Sequence, residues 1–130
     1  MFDTVEYWFE LADDDVSVAE LLLNGKKYLQ AGFFCHLIAE KALKAMIANI
    51  TAEIPPKIHN LIRLAERADL FEDLSEQQRN LLKELNPLNI EARYPEHKER
   101  IAKTLTPEVT TRLFNETEEF LCWTKQKLKK

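Results

Sequence analysis

Two glycines, Gly25 and Gly32, are all that 130 residues contain. An all-β chain of this length needs many tight turns, and most of those turns require a residue that tolerates positive φ. The five prolines fall mostly between periodic segments instead of inside them. Helices joined by a few breaks are the fold class this leaves open. With 45% hydrophobic residues, residues 1–130 hold enough for one modest core, and a single domain is expected.

The apolar periodicity agrees. Val5, Trp8, Ala12, Val16, Ala19, Leu22 and Leu23 recur at steps of three and four, behind Thr4 as a cap, and predict a first helix ending near Asn24-Gly25. At 100° per residue, Asp15 falls between Trp8, Ala12, Ala19 and Leu22, a carboxylate on an apolar face, whereas Asp13 and Asp14 point away. A second helix, from about Tyr28 to Ile50, is apolar over most of its circumference and should be central. Its polar strip is His36, Glu40 and Lys44 at i, i+4 and i+8, with Lys41 beside it. Pro55-Pro56 breaks the chain before a short third helix that begins with His59 and ends near Asp69. Ser75 and Gln78 read as a capping box for a fourth helix through Leu81, Leu82 and Leu85, which Asn86-Pro87 stops. Leu88 to about Leu105 shows no clean period and carries Arg93, Tyr94, Pro95, Glu96 and His97; a long connection of this kind is often functional. Thr106-Pro107-Glu108 opens the last helix, with Val109, Leu113, Thr117, Phe120, Leu121, Thr124 and Leu128 as its stripe. The expected architecture is all-α, an up-and-down bundle of four to five helices, burying Trp8, Leu37, Ile38, Leu43, Leu113 and Phe120.

Several functions are disfavoured by what the chain carries. Cys35 and Cys122 lie in separate helical patterns without CxxC spacing and read as reduced, packed thiols. Three scattered histidines make no metal motif, no glycine-rich phosphate loop or nucleophile elbow occurs, and no cofactor is expected. The formal net charge is -4, which argues against duplex DNA as a partner. Seven acidic residues and no Lys or Arg in the first 24 positions are the reverse of a basic leader. No apolar run approaches membrane-spanning length, so a cytoplasmic protein is expected.

The motifs taken together resemble the HEPN domain family. They are Trp8, Ala12, Asp15, Val16 and Ala19, then His36-Leu37-Ile38-Ala39-Glu40-Lys41-Ala42-Leu43-Lys44-Ala45, then His59-Asn60-Leu61, then Ala92-Arg93-Tyr94-Pro95. In this order and spacing they span the chain from about Trp8 to Trp123. The resemblance implies a helical bundle, commonly a homodimer, often paired with a minimal nucleotidyltransferase in a two-component, toxin-antitoxin-like system. Many members are metal-independent ribonucleases whose Arg and His are separated by four to six residues. Arg93 and His97 are separated by three, and the Arg-Tyr-Pro form is similar to the nucleotidyltransferase-associated branch, for which nucleotide binding is the implied role. RNA is the partner under the alternative reading, an endoribonuclease toxin using Arg93 and His97 across a dimer cleft.

Chemistry assigns the same positions two roles each. Arg93 has the planar fork for an anion and Tyr94 a ring to stack on a base, with Pro95 stiffening both; alternatively they cap and pack. Asp15 orients a cation in a cleft, or forms a structural ion pair with Arg93 or with a lysine of the second helix, or stands at an exposed edge of the stripe. His36, Glu40, Lys41 and Lys44 line a phosphate or dimer groove, or form a solvated helix face. His97 has the imidazole needed for acid-base work, or sits inert between Glu96 and Lys98. A homodimer is expected because the second helix is too broadly apolar for one small bundle to cover.

Overall fold

The computed structural model describes residues 4–51, 53–89 and 95–128. Six α-helices carry the described chain: α1 (Thr4–Asn24), α2 (Tyr28–Ile50), α3 (Leu61–Arg67), α4 (Glu76–Leu85), α5 (Pro95–Thr104) and α6 (Pro107–Leu128). Short 3-10 turns at Phe71–Asp73 and Asn86–Leu88 flank α4, and no strand occurs among the described residues. The all-α bundle expected from the periodicity is what forms. The additional helix is α5, which lies inside the segment expected to be irregular.

Local chemistry explains the helix ends. Ser75 Oγ accepts from the Gln78 backbone N–H at 3.1 Å and Gln78 Oε1 accepts from the Ser75 N–H at 2.9 Å, the reciprocal box anticipated for α4. At the end of α1, Lys27 N–H bonds back to Leu22 O at 2.8 Å and Lys26 N–H to Leu23 O at 3.1 Å. That is a Schellman closure, and its left-handed position is Lys26 (φ 62), one residue past Gly25. Asp69 (φ 59) closes α3 in the same way. The third helix starts at Leu61, two residues later than expected, because Asn60 is its cap, accepting from Arg63 N–H at 3.1 Å.

Helix α2 is the centre, with α1 and α6 packed along it and α3 and α4 closing one side. Ile38, Leu43, Leu61, Leu64, Leu82, Leu85, Leu113 and Phe120 are its largest fully enclosed apolar partners. Each such side chain adds about 1.5–3 kcal/mol relative to exposure. Thr110, Thr117 and Thr124 run down the buried side of α6; the Thr110 and Thr124 hydroxyls donate back to the carbonyls of Thr106 and Leu121. Trp8 and Leu37, expected in the core, are only half-buried. Trp8 lies at the α1 edge against Lys44. Leu37 falls on the outer side of α2, as do Leu11 and Leu22 on α1, none of them packed into the core. Cys35 is buried, and burial pushes its thiol up to about 12, which keeps it protonated and unreactive. Cys122, expected to pack, is exposed on α6.

Candidate functional site

The strip singled out on α2 is an internally paired charge network. Asp15 on α1 is buried among the apolar residues flanking it, and its carboxylate accepts from the ammonium of Lys41. Lys41 is thus the lysine of the second helix that pairs with Asp15, while Arg93, the other partner expected for it, lies outside the described residues. One turn away, Glu40 accepts from Lys44 Nζ at 2.8 Å, and both of its oxygens lie 3.1 Å from His59 Nδ1. Lys44 in turn lies 5.5 Å from the centroid of the Trp8 ring, a cation-π contact that covers the ammonium from outside. Glu40 and Lys44 are 5% and 7% exposed. Neither charge could be held there without the other.

Two histidines tie the loop before α3 to this network. His36, fully buried, has Nε2 at 2.9 Å from the His59 carbonyl oxygen, so that nitrogen carries the proton and donates. Its Nδ1 is left without a hydrogen-bond partner, 3.5 Å from Glu40 Oε1. The distance alone reads as an ion pair. Burial, however, pushes the His36 pKa down, outweighing the upward pull of Glu40 and of the His59 carbonyl, so the ring is neutral and its lone pair faces a carboxylate already shared by Lys44 and His59. For His59, the Nδ1 facing Glu40 is the protonated nitrogen, while the ring is more than half exposed. His59 was expected only as a helix-start or packing residue. Its role as the second ligand of Glu40 depends on where the loop returns, and helical phase gives no signal for that.

Arg93 and Tyr94 lie outside the described residues. His97, two residues beyond Pro95, is described: it is half-buried on α5 and lines a groove of about 520 Å³. Arg100, Ile101 and Thr104 follow it on the same face of α5, Glu84, Pro87 and Leu88 come from the end of α4 and its turn, and Val109, Arg112 and Leu113 from α6. The floor is aliphatic. Leu105 and Leu88 reach it by resting on Gly32 of α2, where a Cβ would stand 2.8 Å from Leu105 Cδ1 and 3.3 Å from Leu88 Cδ1.

The charges around this groove are unequal. Arg112 donates two hydrogen bonds to Glu84, at 3.1 and 2.8 Å, and a third at 3.5 Å to Glu116. Arg100 is exposed and forms no ion pair with any described residue. The Thr104 hydroxyl is used by the Ile101 carbonyl at 2.7 Å. An apolar floor beside an uncompensated guanidinium and an imidazole is a setting in which an amphiphilic anion gains both burial and charge pairing. Sequence reading missed Arg100. Its signal was the spacing of His97, Arg100, Ile101 and Thr104, one helical face, obscured by the short length of α5.

Among the described residues no group of three or more His, Cys, Asp or Glu side chains is placed to hold a metal ion, and no described helix is long and apolar enough to cross a membrane.

Comparison with known proteins adds two findings. The family model of the HEPN domain matches residues 5–128. The fold is similar to that of the crystal structure of TT1696 from Thermus thermophilus, with a TM-score of 0.79 and 23% identity over 97% of this chain and 99% of that one. No curated protein matches the sequence.

Proposed function

The chain belongs to the HEPN domain family, and from that membership and the geometry along α5 we propose that it is a binding module, taking a nucleotide and partnering a minimal nucleotidyltransferase in a two-component, toxin-antitoxin-like pair. The observation that carries this reading is the pairing of charges. Lys41 and Lys44 each already hold a carboxylate, so an anion there would have to displace Asp15 or Glu40 from a buried site. Arg100 and His97 stand beside an apolar groove with no such competitor among the described residues. What Arg93 and Tyr94 add to this proposal comes from their chemistry alone, a planar fork for an anion and a ring for a base, since both lie outside the described residues. Asp15, His36, Glu40, Lys41 and Lys44 then serve the groove indirectly, by fixing α1 and the loop before α3 on α2.

A second copy of the chain is proposed to cover the outer face of α1 and α2. Leu11, Leu22 and Leu37 are half-buried there without belonging to the core, and Val18 and Leu21 are exposed. Light scattering should return the mass of a dimer.

Calorimetric titration of the pure protein with nucleotides tests the main reading, run beside incubation with labelled single-stranded RNA in chelator. Saturable binding that Arg93→Ala weakens, with the RNA intact, is the expected result. The position of His97 in the groove keeps one alternative in play, the endoribonuclease using Arg93 and His97. Metal-independent cleavage abolished by His97→Ala would establish it and displace the binding-module reading.

A further inference from the structure

The distribution of charge around the α5 groove says more about its ligand than its shape does. Four described ionisable groups line it: His97, Arg100, Glu84 and Arg112. Arg112 is spoken for, since Glu84 binds it through two N–H groups and Glu116 approaches it as well. Arg100 is the one full positive charge on the lining that forms no ion pair with a described carboxylate, Glu96 one turn before it on α5 included. The wall of α4 and α6 therefore presents a neutralised pair with a carboxylate at its edge, and the wall of α5 presents a single free cation. Between them lie Leu88, Ile101, Leu105 and Leu113, and the carbonyl of Ile101 already takes the Thr104 hydroxyl.

We infer that the groove selects a ligand with an apolar or aromatic body and one anionic group, placed on Arg100 with the His97 ring beside it, and that for a nucleotide this means a nucleoside monophosphate in preference to the triphosphate. The nucleotide part rests on the function proposed above; the single-anion part does not. The physical ground is Coulombic. Among the described residues a lone phosphate meets one unpaired guanidinium, whereas each further phosphate adds negative charge that Arg100 cannot offset and that Glu84, on the lining, repels. The body gains by leaving water for an aliphatic floor that is already formed, because Gly32 lets Leu105 and Leu88 settle deep enough to leave the space open. Nothing in the paired network of α2 offers this combination, since each of its cations carries its own carboxylate.

The test is calorimetric titration of the intact protein with AMP and ATP in chelator at fixed salt, in wild type, Arg100→Ala and Glu84→Gln, with 1-anilinonaphthalene-8-sulfonate as a non-nucleotide probe bearing one anion. AMP should bind at least about tenfold more tightly than ATP, a difference of about 1.4 kcal/mol. Arg100→Ala should remove that preference by weakening AMP, and Glu84→Gln should narrow it from the other side, by releasing Arg112 to a second phosphate. Folding of Arg100→Ala is checked by its melting curve, which should overlay that of the wild type because the side chain is exposed. ATP binding as tightly as AMP, or an AMP preference that survives Arg100→Ala, would overturn the inference while leaving nucleotide binding intact. If no nucleotide binds but the sulfonate probe does, and is lost in Arg100→Ala, the nucleotide reading falls and the single-anion groove stands. If neither AMP nor the probe binds, both are wrong.

Discussion

The α2 strip and the α5 groove use similar side chains to opposite ends. Each sets basic groups and histidine beside glutamate against apolar residues. In the strip every charge is matched across helices or along one turn, Lys41 to Asp15 and Lys44 to Glu40, the second pair buried and the first largely so. In the groove Arg112 is matched to Glu84 but Arg100 is left over, in solvent, at the lip of an aliphatic hollow. What separates the two regions is therefore the surplus and its accessibility, not the residue types. A buried, balanced network holds helices in register. An exposed, unbalanced one is available to something outside the chain.

Breaking the strip should cost stability, and Glu40 is where the cost should be largest. Glu40→Ala leaves the Lys44 ammonium buried without a counter-ion and removes the acceptor of His59, so a loss of about 3 to 5 kcal/mol is expected in denaturant titration. A loss below about 1 kcal/mol would mean the network is not what holds the loop before α3. The Asp15 to Lys41 pair comes next. A double-mutant cycle of Asp15→Ala and Lys41→Ala should return a coupling in the range of about 0.5 to 3 kcal/mol, toward the upper end because both side chains are mostly enclosed. Zero coupling would make the pair incidental.

Much of this contrast was legible in the sequence, and the part that was not has a physical cause. Phase at 100° per residue placed Asp15 on an apolar face and set His36, Glu40 and Lys44 on one line, because those residues sit inside long helices where phase accumulates without interruption. That Lys41 is a partner of Asp15 could not be read from phase alone, because it depends on the relative position of α1 and α2. His59 was misjudged because Pro55-Pro56 resets the backbone, so nothing in the sequence says that its ring returns to Glu40. The groove was hidden for a similar reason. It is assembled from the ends of α4 and α6 around a ten-residue helix, and no single segment contains enough of it to show a pattern.

Acid should act on the strip through His36. The folded-state pKa of His36 lies below its ordinary 6.5, chiefly because the ring is buried. The unfolded chain therefore takes up that proton first as pH falls. The sign follows: stability is full above pH 6.5 and declines as the pH drops from there toward the lower, folded value. In His36→Gln, which keeps a donor for the His59 carbonyl, the difference in denaturation midpoint between pH 7.5 and pH 5 should shrink. An unchanged pH dependence would assign the acid sensitivity to other groups. The smallest effect belongs to the groove. Arg100→Ala should shift stability by no more than about 0.5 kcal/mol, since no described group depends on it, and a larger loss would show that Arg100 is structural after all.

The division of labour between the two regions is tested most directly by one titration of isotope-labelled protein with AMP, followed through its amide and side-chain chemical shifts. Shifts should concentrate at His97, Arg100, Ile101, Leu105 and Leu113, with Asp15, Glu40 and Lys44 unmoved. Shifts centred on Asp15, Glu40 and Lys44, with α5 unaffected, would contradict it and return the α2 strip to the role of binding site.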